Sequence, residues 1–76
     1  MLIYAQDRKS VVDASTLQIQ RNLGGGKEAK YCIAAYRSGL GEPVLAAVFP
    51  DEKIAIDALE KAYNAFADGA GAYKFD

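Results

Sequence analysis

The sequence predicts an α+β fold in which a curled antiparallel meander of four or five strands carries one helix on one face. Three observations support this class: short apolar or alternating segments joined by polar turns come first, a single amphipathic helical pattern follows, and a short aromatic segment comes last. The 76 residues are expected to form one domain, residues 1–76. A chain this short buries only about 60% of its unfolded surface, so a lone monomer would be marginally stable.

The first half of the chain has the pattern of strands joined by short turns. Residues 2–6 are predicted to form a first strand, and the polar residues 7–10 a turn. A second strand begins at residues 11–12, is interrupted, and resumes at residues 17–20, where apolar and polar side chains alternate. Residues 22–27 contain three glycines and form the strongest turn signal. Because parallel neighbours need a crossover of about a dozen residues or more, these short links predict antiparallel pairing.

Two further strands are apolar on both faces. Residues 31–36 and 44–49 carry apolar side chains at odd and even positions alike, and successive side chains of a strand point to opposite faces. One helix can cover only one of these faces. We therefore expect a second copy of the chain to cover the other face in a homodimer, with Ala46 at the interface. Closure of the sheet into a barrel is the alternative.

The helix is predicted to begin after Asp51, a favourable N-cap residue, and to end before Gly69. Residues 72–75 then form a short strand on a sheet edge. Apolar side chains recur in the helix at steps of three and four, which predicts a stripe that faces the sheet. That stripe consists of Ile56, Leu59, Tyr63 and Phe66, with Ala55 and Ala62 beside them.

The residue types argue against an enzyme. The chain has no histidine, which removes the commonest general base and metal ligand, and its single cysteine, Cys32, lies among apolar residues. The segment Gly24-Gly25-Gly26-Lys27 superficially resembles a phosphate loop, but Arg21 replaces the required glycine and Glu28 the required Ser or Thr. We expect no catalytic residue, no metal and no cofactor.

Nucleic-acid binding is the alternative function. Residues 1–37 carry six basic and three acidic side chains, whereas residues 38–76 carry three basic and seven acidic ones. Lys30 and Tyr36 share one face of their strand, where a base could stack on the tyrosine ring near a positive charge. Binding of a small molecule is the least favoured class, because a domain this small fills most of its interior with its own side chains.

The sequence shows neither a signal peptide nor an apolar run of the roughly 20 residues that a membrane helix needs. We therefore expect a cytoplasmic protein without a membrane partner.

The turn at Gln6-Asp7-Arg8-Lys9 follows a short apolar strand, and an acidic-capped helix at residues 51–59 precedes the aromatic strand at residues 72–75. In this order the chain resembles a group of short uncharacterised proteins of Gram-positive bacteria and their mobile elements. The resemblance implies the fold and the cytoplasmic setting, and it brings no activity with it.

The predicted function is that of a non-enzymatic protein-interaction module, an accessory or regulatory factor that acts as a homodimer and contacts a protein partner. The residues predicted to form its interaction surface are Gln6, Asp7, Arg8, Lys9, Lys30, Tyr36 and Ala46.

Overall fold

The computed structural model describes residues 1–39 and 41–76 and confirms the α+β class. Its strands, however, form two three-stranded sheets and not the single predicted meander. One sheet has the order β2-β1-β6 and the other the order β3-β4-β5. In chain order the elements are β1 (Leu2–Tyr4), β2 (Val11–Asp13), β3 (Thr16–Arg21), β4 (Tyr31–Tyr36), β5 (Val44–Phe49), α1 (Glu52–Ala67) and β6 (Ala72–Lys74).

A bend at Ala14-Ser15, between β2 and β3, explains why there are two sheets. The backbone N–H of Ala14 donates to the carbonyl oxygen of Met1 at 2.7 Å, and that of Ser15 donates to Tyr36 at 2.8 Å. β2 and β3 are thus two halves of one bent strand, and the bend is where the partner changes from β1 to β4. The sequence showed the interruption but not the change of partner.

The sheet of β3, β4 and β5 is the antiparallel meander that the sequence predicts. The glycine-rich segment makes the turn between β3 and β4, and Asn22 fastens it, since its side-chain Nδ2 donates to the carbonyl oxygen of Ala29 at 2.8 Å. A Cβ atom at Gly25 would collide with that same carbonyl group, so this position requires glycine.

The strand β6 corrects the prediction of an entirely antiparallel sheet. It pairs with β1 in parallel, with Leu2 opposite Ala72 and Ile3 opposite Tyr73. The chain between β1 and β6 includes four strands and the helix α1, so the connection is long enough for a parallel pair.

The helix packs on its alanines and on only part of the predicted stripe. Ala55 and Ala62 lie two turns apart and are fully buried, whereas Ile56 is 42% and Tyr63 is 70% exposed. Small side chains let the helix lie close to the sheet, and this close contact sets its rotation. Leu59 and Phe66 of the predicted stripe are partly buried against the core.

Gln6 joins the two sheets. Its backbone N–H donates to the carbonyl oxygen of Ala46 at 2.7 Å, its Oε1 accepts from the N–H of Val48 at 2.9 Å, and its Nε2 donates to the carbonyl oxygens of Val48 at 3.3 Å and Asp76 at 2.8 Å. Gln6 therefore occupies the free edge of β5 and also holds the end of the chain that follows β6.

The outer face of the β3-β4-β5 sheet is partly shielded by its own side chains. Cys32 and Ala34 point to this face and are 5% and 3% exposed. Gln20, opposite Cys32, donates a hydrogen bond to the hydroxyl of Tyr36 on the same face. Cys32 and Ala34 are thus buried within one chain. The sequence had predicted that a second copy would cover this part of the sheet face. Leu45 remains 50% exposed there.

We expect Gln6→Ala to lower the free energy of unfolding by about 1–3 kcal/mol, because it removes three side-chain hydrogen bonds and leaves the Val48 amide without its acceptor. Urea denaturation measures this difference. Lys9→Ala in the same turn changes an exposed side chain and is expected to stay within about 0.5 kcal/mol of the wild type. Equal losses in the two variants would contradict the role assigned to Gln6.

Candidate functional site

An apolar groove with a volume of about 460 Å³ lies between the helix and β3. Its floor and walls are aliphatic and aromatic side chains, and Glu60 is the one charged residue among them. The lining residues are Met1, Leu17, Ile56, Leu59, Glu60, Tyr63 and Phe66.

The groove follows from how the helix sits on the sheet. Ile56, Leu59 and Tyr63 are three and four residues apart, so they form one flank of α1 beside the buried Ala55 and Ala62. Leu17 comes from β3, whose odd-numbered residues face the helix side of the sheet. The stripe that the sequence predicted as core is thus partly an exposed wall.

The lining of the groove suits apolar contact. Among the side chains that line it, Glu60 is the single carboxylate, and the other lining side chains are aliphatic or aromatic. Throughout the described residues, no cluster of three or more His, Cys, Asp or Glu side chains could hold a metal ion. Along the same described segments, no helix is long and apolar enough to cross a membrane.

The predicted turn at residues 6–9 is held against the rest of the chain. Arg8 has a positive φ of 66°, its Nη1 donates to the carbonyl oxygen of Phe75 at 2.6 Å, and its guanidinium lies 5.2 Å from the centre of the Tyr4 ring. The Asp7 carboxylate accepts from the N–H of Lys9 at 2.9 Å. Gln6 and Arg8 therefore have structural contacts with the rest of the chain, and Arg8 is nevertheless exposed, as Asp7 and Lys9 are.

The structure separates the other predicted surface residues. Lys30 is exposed beside the β3–β4 turn, and Tyr36 is half-buried at the far end of β4, about 20 Å away. Ala46 is 1% exposed, because the register of β4 and β5 shifts at this residue and Gln6 covers it. Ala46 thus belongs to the core of its own chain, which corrects its assignment to a surface.

Sequence reasoning missed the groove because it gave the largest side chains of the helix to the core. The available signal was the seven-residue spacing of Ala55 and Ala62, which marks a close helix–sheet contact. Placing the alanines inward rotates Ile56 and Tyr63 onto the flank, since each follows an alanine by one residue.

Comparison with protein-family models, with curated proteins and with solved structures gives no match. The resemblance to short proteins of Gram-positive bacteria therefore stays a prediction from the sequence. The groove has to be interpreted from its own geometry.

Cys32 is the one free thiol among the described residues, and burial raises its pKa, while a hydrogen bond with the Gln20 backbone acts in the opposite direction. We expect this thiol to react with a disulfide reagent far more slowly in the folded protein than in denaturant at pH 8. Absorbance of the released thiolate measures both rates. Equal rates in the folded and unfolded protein would contradict the burial of Cys32.

The raised pKa also makes stability depend on pH. Because the pKa of the Cys32 thiol is higher in the folded protein, its contribution to stability is complete below pH 9.0 and falls as the pH rises through the folded pKa.

Proposed function

We propose that the protein is a non-enzymatic protein-interaction module that acts as a homodimer, with the apolar groove as its contact surface. The observation that carries this proposal is the exposure of Tyr63 and Ile56, at 70% and 42%, in one groove with Leu17. Single exposed apolar residues are ordinary, but a contiguous apolar surface on a small domain typically marks a contact site.

The composition of the groove favours a protein as the partner. Tyrosine is enriched at the centre of protein interfaces, because its ring supplies a large apolar area and its hydroxyl can remain at the wet edge. Small-molecule sites usually add a few convergent polar groups that fix the orientation of the ligand. Glu60 is the single charged side chain of this lining, so the groove offers apolar area and shape but few polar groups that could orient a small ligand.

The non-enzymatic character is supported by the residue types and by their placement. The chain has no histidine, and Cys32 lies in the β3-β4-β5 sheet and is not among the residues that line the groove. General acid–base catalysis usually relies on a histidine or on paired carboxylates, and the groove lining contains no histidine and one carboxylate, Glu60.

Nucleic-acid binding is the competing proposal, and it would use the corner where the Arg21 guanidinium lies 5.3 Å from the centre of the Tyr31 ring, near Lys30. An exposed guanidinium stacked on an aromatic ring is able to contact a base or a phosphate. Because Tyr36 lies at the other end of β4, this corner is small. Retention on immobilised DNA or RNA that falls steeply with salt would favour it over the groove.

We expect the wild type to have about twice the chain mass of 8.2 kDa in solution, and Ile56→Glu to shift the protein towards the monomer, because a carboxylate would be desolvated in the groove contact. Light scattering across a concentration series measures the mass. Tyr63→Glu, at a second exposed position of the groove, is expected to act in the same direction.

The matched control is Ile54→Glu. Ile54 is 43% exposed, nearly the same as Ile56, but it lies on the opposite flank of α1, beside Asp57 and Lys61. We expect this variant to remain dimeric. A monomeric wild type, or equal effects at residues 54 and 56, would overturn the groove as the contact surface.

A further inference from the structure

The strand β3 lies beside the groove and has a hydrogen-bonded neighbour on one side only among the described strands. We propose that two copies of the chain pair through this edge, antiparallel and about a two-fold axis at Gln18, to form one continuous six-stranded sheet. The inference rests on the proposed function, since it names a second copy as the occupant of the groove and adds a specific backbone contact.

The backbone groups of Leu17 and Ile19 point away from β4. The N–H of Asn22 donates to the carbonyl oxygen of Lys30, which places the even-numbered residues of β3 at the hydrogen-bonded positions. In an antiparallel pair these positions alternate, so the N–H and C=O groups of Leu17 and Ile19 face outward. No other hydrogen bond between described residues reaches these groups.

The other described edge strands are short or covered by other residues, whereas β3 is long and uncovered. β2 and β6 have three residues each, and Gln6 and the register shift at Ala46 cover the edge of β5. β3 has six residues without a proline, a lysine or a bulge, which are the usual devices that prevent edge pairing. An uncovered strand edge of this length is a template for another strand.

The side chains of β3 favour a copy of itself as the partner. Residues 16–20 carry no charge, so antiparallel self-pairing brings no like charges together. With Gln18 on the axis, Leu17 lies opposite Ile19 of the partner subunit, and Arg21 lies opposite the partner's Ser15, so the charged end of β3 meets a neutral residue. The register centred on Ile19 would instead place Arg21 opposite Leu17, which is a poorer match.

The edge contact and the groove contact are compatible with a single two-fold axis. An axis perpendicular to the sheet keeps the helices of both copies on the same side, because each residue then meets a residue of the same face. The two grooves, each with Leu17 from β3 on one wall, then meet across the axis. Ile56 and Tyr63 of the two copies would cover one another above the new strand pair.

The test places opposite charges on the axis. Gln18 is exposed, so Gln18→Lys and Gln18→Glu are both expected to fold. Each variant alone sets like charges side by side, and we expect its dimer to weaken on the order of a hundredfold. An equimolar mixture of the two variants is expected to recover a heterodimer, which native mass spectrometry resolves. The matched control Leu45→Lys adds a charge on the same sheet face, but on β5, and is expected to stay dimeric.

The outcomes separate this inference from the proposed function. A dimer that Ile56→Glu dissociates and that neither Gln18 variant weakens would overturn the edge pairing and leave the groove in place. A monomeric wild type would overturn both. Amide hydrogen exchange gives a second measurement on the wild type: we expect the amides of Leu17 and Ile19 to be protected at dimeric concentrations and to lose protection on dilution. Rapid exchange of both amides in a dimer would also overturn the inference.

Discussion

The hydrogen bonds of Gln6 hold the two sheets together, and the positions of the other surfaces depend on them. The side chain behaves as one further residue of a strand, since it accepts from the Val48 amide and donates to the Val48 carbonyl group. The side-chain Nε2 of Gln6 also donates to the carbonyl oxygen of Asp76, so the segment after β6 is held at the same point. Because this contact covers β5, the long edge that remains on the β3-β4-β5 sheet is β3.

The helix adds the second constraint. Ala55 and Ala62 give a close contact with the sheet, and a close contact fixes the rotation of a helix more tightly than long side chains do. That rotation cannot bury every apolar residue of a sixteen-residue helix, and Ile56 and Tyr63 are left on the flank towards β3. The open edge and the apolar groove lie side by side because of these two packing choices.

Local signals in the sequence predicted the local structure well. Asp51 caps the helix as expected, with its Oδ1 accepting from the Ile54 amide at 2.9 Å, and Gly69 follows the helix with a positive φ of 97°. These features depend on neighbouring residues alone, so a short window of sequence contains them. The glycine-rich turn between β3 and β4 was predictable for the same reason.

The misses concern contacts between distant segments. The pairing of β1 with β6 joins residues about 70 positions apart, and Gln6 looked like an ordinary exposed turn residue because its partners at Val48 and Asp76 are far along the chain. The predicted helical stripe was wrong at Ile56 and Tyr63 but not at Leu59 and Phe66, since periodicity identifies a face but weighs large side chains above alanines. Only the packed structure shows that Ala62 and not Tyr63 faces the sheet.

Two kinds of contact in the proposed dimer would have different roles. Apolar burial in the groove is non-directional and roughly proportional to area, so by itself it permits several arrangements of the two copies. Hydrogen bonds along β3 are directional, and a slip by one residue would turn Leu17 and Ile19 away from the helices. A domain of 76 residues has little interior with which to stabilise itself, so extending its core across a two-fold axis would add stability where the monomer is weakest. The edge would select the arrangement, and the groove would supply most of the affinity.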